Sequence, residues 1–358
     1  MFGDLPKGNG DPSLDLFKDD SAPNQRALEQ RFVTLDNLYA ASEVSADGWE
    51  WSTAANANTY DQKTWPADYS GRNRGYDFEG GNLADAPGED PQNSYLLDRV
   101  VRAGISLRNY GFWDTGTVPA MVAPTEPELV PVTDTNYPGY NLAITDQTRI
   151  AEWLKEFAQY KAAGSLPTLE FVRLPNDHTA GTRPGAPSPR AYVADNDWAL
   201  GQLVDAVSHS QFWSSTAIFV IEDDAQNGPD PVEAHRTTAQ VISPYTQTGK
   251  VDSTFYSTVS MLKSIEQILG IGPLTQFDAA ATPMTNSFSS TPNLTPYDAI
   301  KPSDAVLNET NTASSPLAMQ SAKMDFSHAD AAPEDILNEA IWKSVKGASS
   351  TMPAPRSS

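Results

Sequence analysis

Short apolar runs and helical stripes alternate along most of this chain. Residues 24–32, NQRALEQRF, have helical propensity and run into Phe32-Val33-Thr34-Leu35, a short strand. A polar turn over 42–48 leads into a second helical stretch at 49–55, and strand, small-residue turn, then helix is a layout that exposes a nucleophile at a helix N-terminus. Residues 94–103 place Leu96, Leu97, Val100 and Val101 on one side of a helix, and Gly104 passes the chain into a strand at 105–110. A helix is predicted over 146–163, stopping at Gly164, then a strand over 168–174 that ends in Pro175-Asn176-Asp177-His178. The helix over 191–209 carries Ala199, Leu200, Leu203, Val204 and Val207 at helical spacing and precedes a β-branched strand at 216–221. A further strand is expected over 238–244, and Ser257 caps a helix that runs to Leu269 and stops at Gly270.

The intervening stretches read differently. Residues 1–23 are rich in Gly, Pro, Asp and Asn and read as a loop; 60–92 are aromatic, Gly-rich and irregular and read as a surface loop; 114–138 are a Pro/Thr-rich insertion. Beyond about residue 272 the chain is rich in Pro, Ser, Thr and Asn, with one late helix at 333–346, so it is either weakly ordered or wraps the core. Strands alternating with helices across 30–270 predict an α/β architecture with a mostly parallel sheet and no internal repeat. The expected division is an α/β domain over 1–272 and an extension over 273–358.

Composition narrows the chemistry. The 358 residues carry a formal charge of −22, which argues against nucleic acid as a partner, because phosphate backbones are bound by a surplus of Lys and Arg. The acidity does not forbid a small phosphorylated substrate, since a metal reverses the local field inside a pocket. With no cysteine, any metal has oxygen and imidazole ligands. No stretch reaches the ~18 uninterrupted apolar residues of a spanning helix, and the N-terminus lacks the basic and apolar regions of a signal peptide. Oligomeric state leaves no trace in the sequence.

Three strand ends finish in residues suited to metal or phosphate work. IEDDAQNGPDPVEAHRT, 221–237, sends Asp223 and Asp224 out of a buried strand and adds His235, one of four histidines. Adjacent carboxylates at the C-terminal edge of a parallel sheet need a counter-charge, and carboxylate plus imidazole is a ligand set that zinc, manganese or, with more oxygens, calcium accepts. Asp177-His178 follows another strand, and Ser42, Ser45 and Asp47 follow a third. A serine before a helix is ordinarily an N-cap. With no G-x-S-x-G elbow in the chain, metal activation is the remaining route to making Ser45 a nucleophile. His209 closes a helix, where a histidine stabilises the C-terminus, and His328 sits in the extension.

LPNDHTAGTRPG, ADNDWALGQLVDAVSHSQFW, VIEDDAQNGPDPVEAHRT, ISPYTQTGKVDSTFYSTVSMLKSIEQILGI and QFDAAATPM, with EVSADGWEWSTAAN and KTWPADYSGRNRGYDFEG upstream, resemble blocks of a known family. It is the bacterial phosphoesterase family of phospholipase C and acid phosphatase type, within the alkaline phosphatase superfamily, in the branch often fused behind a β-propeller in exported proteins. The resemblance implies a three-layer α/β/α sandwich, metal-dependent hydrolysis of phosphomonoesters or phosphodiesters, and a periplasmic or secreted setting. It puts the nucleophile on Ser45, with Ser42 the weaker alternative, and the paired acidic metal ligands on Asp223 and Asp224. Asp177, His178 and His235 match positions that supply a second metal or bind phosphoryl oxygens, and Arg183 and Arg236 are candidate contacts to those oxygens.

Departures from the family pattern open a second reading. Relatives carry a Glu-Asn-Arg-Thr/Ser segment on a first strand, just ahead of the FGDLP-like sequence, whereas this sequence starts at Met1-Phe2-Gly3-Asp4, so that strand is expected to be missing. Trp49 and Pro231 stand where relatives often have histidine. These differences suit a catalytically degraded phosphoesterase fold that serves as a binding or interaction module.

Overall fold

The computed structural model describes residues 1–73, 95–115, 123–124 and 127–356. Along the chain come α1 (Pro23–Arg31), β1 (Val33–Leu35), β2 (Leu38–Tyr39), α2 (Ser45–Ala54), α3 (Thr59–Asp68) and α4 (Leu96–Arg102). They are followed by β3 (Leu107–Tyr110), β4 (Asp114–Thr115), β5 (Ala123–Pro124), α5 (Asp146–Ala163), β6 (Leu169–Val172), α6 (Pro189–Ser208) and β7 (Ile218–Ile221). Next are β8 (Ala239–Ile242), β9 (Lys250–Asp252), β10 (Tyr256–Ser257), α7 (Thr258–Leu269) and α8 (Gln276–Ala280). With α8, three further helices lie in the extension: α9 (Asp304–Leu307), α10 (Ala318–Ser321) and α11 (Glu334–Lys346).

Caps written in the sequence set the long helices. Thr145 and Ser188 accept amide hydrogens from the first turns of α5 and α6, and Gly164 and Gly270 end α5 and α7 in the left-handed conformation, at φ +70° and +72°. Two local expectations shift. The helix expected from 49 begins four residues earlier, where the Asp47 carboxylate accepts the Val44 amide at 3.3 Å and caps the first turn. Residues 59–68, expected as loop, form α3, whose start is fixed by the Asn58 side chain accepting from the Asp61 amide. The rest of the loop expected over 60–92, from 74 onward, and residues 116–122 and 125–126 of the insertion lie outside the described residues.

Strands β1 and β9, β2 and β10, and β3 and β6 pair in parallel; β4 with β5 and β7 with β8 are antiparallel. Alternation along the strands feeds two cores, as the period of two requires. On β7, Ile218 and Val220 pack against the cluster of α1, α5 and α6, built on Leu28, Trp153, Leu200 and Val204, while Phe219 and Ile221 turn toward Met261 and Ile265 of α7. On β6, Leu169 and Phe171 join Trp49, Leu97 and Leu262 of α2, α4 and α7, while Val172 joins the first cluster. Helices therefore cover both faces of the strands, giving a three-layer α/β/α sandwich. Strand β8 is buried throughout, but β6 and β7 are half-buried at every residue, and no described strand is hydrogen-bonded between them. The extension wraps the core: Met284, Tyr297 and Trp342 are buried, and Thr310 bridges to Pro187. No described helix is long and apolar enough to cross a membrane.

Glu29, on α1, is a buried acid. Its Oε1 accepts from the Leu35 amide at 3.2 Å, but Oε2 has no partner, and neither does Gln240 Oε1. Burial pushes the carboxyl up to about 8, against hydrogen bonds from Leu35 and the adjacent Gln240 that lower it. Because the folded pKa lies above the unfolded one, stability falls as pH rises from the unfolded value toward 8, and the full penalty is present above it. Glu29→Gln should therefore match the native protein in thermal stability near pH 4.5 and exceed it at pH 9, by on the order of a few kcal/mol. A stability difference independent of pH between 5 and 9 contradicts this.

Candidate active site

The site is built where α2 meets the end of β7. Gly48, in the first turn of α2, lies so close to the Asp223 backbone that a Cβ there would stand 2.5 Å from Asp223 O. Ser42 Oγ donates to the same carbonyl at 2.5 Å. This seam puts Ser45, the first residue of α2, beside the acid pair, and its Oγ donates to Asp224 Oδ2 at 3.2 Å. Ser45 and Asp224 are 1 % and 5 % exposed. Asp47, three positions into the helix with its side chain, accepts from the Val44 amide and from Gln62 Nε2, tying α2 to α3.

Electrostatically the strand end is an anion crowd. Burial, followed by the charges of Asp223 and Asp330, raises the Asp224 carboxyl well above its usual range, while the Ser45 hydrogen bond pulls the other way. Asp223 Oδ2 is a buried oxygen with no partner. An orphaned carboxylate oxygen, a second carboxyl destabilised as an anion and a serine hydroxyl make a hard, oxygen-rich donor set of the kind divalent cations take. Asp223 and Asp224 therefore fit a divalent metal. Among the described residues, one His/Asp trio has donor atoms within 4.8 Å of one another, Asp205, His209 and Asp298, and it lies at the surface. There His209 ends α6 and Asp205 Oδ2 holds the Ala299 amide at 2.8 Å, so the trio fastens the extension to the helix.

The strand β6 brings the second half of the cleft. It runs into a 3-10 turn, Pro175–His178, and the ring Nδ1 of His178 lies 2.9 Å from Pro175 O and 3.5 Å from Asp177 Oδ1. Burial lowers the His178 pKa, but the hydrogen bond and charge of Asp177, helped by Asp223, outweigh it and push the imidazole up to about 9. Tyr140 meets the His178 ring edge-on with centroids 5.2 Å apart. A small cleft of about 30 Å³ is lined by Glu43, Tyr69, Tyr140, His178, Gln226 and His328.

The structure thus gathers Ser45, Asp223, Asp224, Asp177 and His178 at one edge, but it does not bring the remaining candidates to the acid pair. His235 has both ring nitrogens taken by carboxylates, Nε2 by Glu43 at 2.7 Å and Nδ1 by Glu233 at 2.9 Å. Arg236 is held by Asp230 at 3.0 Å and by Asp36 O, and Arg183 is exposed, with its charge felt at Tyr192. Trp49 is buried and carries the Arg173 guanidinium 4.7 Å from its ring centroid. The Pro231 carbonyl accepts from Arg356 of the extension.

Three participants escaped sequence reading. Arg173, at the end of β6, is buried between the Trp49 and Tyr140 rings and bears on His178. Asp330 and His328 come from the extension: the Ser45 amide donates to Asp330 Oδ2 at 2.7 Å, and His328 lines the cleft. Nothing local marks them, because Asp330 is 285 positions from Ser45.

Residues 6–272 match the Phosphoesterase family. No curated protein matches the chain. Among solved structures, a protein in the alkaline phosphatase superfamily from Vibrio parahaemolyticus is similar at 16% identity and a TM-score of 0.47, over 73% of this chain and 63% of that one. The chain thus spans less than two thirds of that protein's length. Phosphonate monoester hydrolases from Silicibacter pomeroyi and Agrobacterium radiobacter are similar at 11% and 14% identity, with TM-scores of 0.42 and 0.41, over 70% and 72% of this chain and 68% and 73% of theirs.

Gly48→Ala tests the seam. The added methyl must push α2 off the Asp223 carbonyl, so denaturant unfolding should show a loss of about 1–3 kcal/mol. A variant as stable as the native protein would mean that the two backbones are free to part.

Proposed function

This chain belongs to the Phosphoesterase family, and on that premise we propose that it is an ester hydrolase that cleaves phosphate esters with Ser45 as nucleophile and Asp223 and Asp224 as the ligands of a divalent metal. The observation that carries the reading is the hydrogen bond from Ser45 Oγ to Asp224, made between a helix N-terminus and a strand end 179 positions away. Ser45 Oγ attacks phosphorus, the bond to the alcohol leaving group breaks, and water then releases phosphate from the seryl ester. The contact to Asp224 fixes the rotamer of the attacking oxygen. A metal held there would supply a lowered hydroxyl pKa and neutralise charge on the transferred group. His178, whose pKa the neighbouring Asp177 raises and which lines the cleft, is placed to meet the equatorial oxygens or give a proton to the leaving alcohol. Arg173 acts behind it, holding the wall formed by Tyr140 and Trp49.

The substrate class we assign is a small phosphomonoester or phosphodiester, taken in the manner of the phospholipase C and acid phosphatase branch. An aryl phosphate assayed with and without added zinc, manganese or calcium tests this. Turnover should depend on the ion, and Ser45→Ala and Asp224→Asn should each lower it by roughly a thousandfold or more, about 4 kcal/mol of barrier. Rates left unchanged by both substitutions end the assignment.

A further inference from the structure

Asp330 reaches the site from the C-terminal extension and takes hold of two donors at once. Its Oδ2 accepts the Ser45 amide at 2.7 Å and its Oδ1 accepts Gln226 Nε2 at 2.7 Å. One donor belongs to the first turn of α2, the other to the loop that follows the acid pair. The carboxylate therefore bridges the two walls between which Ser45 Oγ and Asp224 lie. Its own backbone sits at φ +55°, a left-handed conformation that non-glycine residues adopt at a cost, and its carbonyl is pinned by the Ser70 amide at 2.7 Å. The facing loop is bent the same way, with Gln226 at φ +40° and Asn227 at φ +53°. Asn338 of α11 donates to Gln226 O at 3.1 Å, so the extension holds Gln226 by both side chain and backbone.

This arrangement conflicts with the chemistry assigned to Ser45. A phosphoryl group within attacking distance of Ser45 Oγ is an anion, and the Ser45 amide belongs to the same residue as that Oγ. Incoming phosphoryl oxygens would meet the Asp330 carboxylate at the donors suited to receive them, and like charges a few ångströms apart repel strongly. The acid pair on the other side compounds the crowding. A carboxylate in that place mimics the charge and the paired acceptor oxygens of the group it excludes.

Resting on the reading of Ser45 as nucleophile, we propose that Asp330 is an internal competitor of the substrate: its carboxylate fills the anion cradle formed by the Ser45 amide and the Gln226 side chain, and segment 326–333 must withdraw before a phosphoryl group binds. Phe326, His328 and Asp330 of the segment line the cleft; Asp330 carries its hydrogen bonds to Ser45 and Gln226, while Phe326 packs beside Leu142, Ala180 and Tyr192.

Inorganic phosphate is the probe, because it is the product of the proposed reaction and tests binding without turnover. Calorimetry on the metal-loaded full chain should show phosphate binding at least tenfold tighter to Asp330→Ala than to the native protein, with KM for the aryl phosphate falling in step. Phosphate affinity that is unchanged or weaker in a variant that still unfolds cooperatively overturns the proposal and makes Asp330 a fixed cap of α2 or a ligand of the site. Hydrogen exchange on the native chain needs no variant: saturating phosphate should speed exchange over 326–333, and unchanged or slower exchange overturns the proposal as well. Ser45→Ala separates the two readings. It removes hydrolysis if Ser45 is the nucleophile, whereas its backbone amide still offers the cradle, so release of the segment by phosphate succeeds or fails independently.

Discussion

The close approach of the α2 backbone to the Asp223 carbonyl organises everything else in the site. Only a residue without a Cβ allows it, and Gly48 is that residue. Once the seam is closed, Ser42 has its acceptor and Ser45 has Asp224. None of these contacts could be made by adjusting rotamers around a more distant helix. The site's geometry is thus a property of main chain packed on main chain, with side chains filling in the chemistry.

The sandwich supports that seam from both sides. Successive residues of β7 enter different hydrophobic clusters, one under α1, α5 and α6 and the other under α7, so the strand end cannot shift toward either face without opening a core. The buried polar groups lie mostly at the strand ends and helix starts, where cost is offset by local hydrogen bonds. Asp224 differs in being an acid surrounded by acids. Under the proposed function that excess of negative charge is what a divalent metal would neutralise.

Periodicity made the architecture readable. The long helices α5, α6 and α7 announce themselves through apolar stripes closed by Thr, Ser and Gly caps, and β7 through a run of β-branched residues. Helix α3 was hidden because its aromatic and polar residues, TYDQKTWPAD, form no apolar stripe, and the antiparallel pairing of β7 with β8 leaves no mark in either strand. In the site, the residues at strand ends were legible because topology alone brings strand ends to one edge. His235, Arg183 and Arg236 look the same in sequence as His178 does, yet local carboxylates and solvent claim them. Arg173 and Asp330 were invisible for the opposite reason: their roles come from aromatic rings and an amide contributed by distant segments.

The bond between Ser45 and Asp330 also has a place in time. It closes a loop of 285 residues, and the entropy of closing so long a loop must be overcome by contacts already made elsewhere. Such a contact forms late in folding, after the two cores have set, and it opens early when conditions turn unfavourable. Mild denaturant or warming would then release the segment around Asp330 while the sandwich stays intact, leaving a window of partial unfolding in which the Ser45 amide is bare and the rest of the molecule is still native.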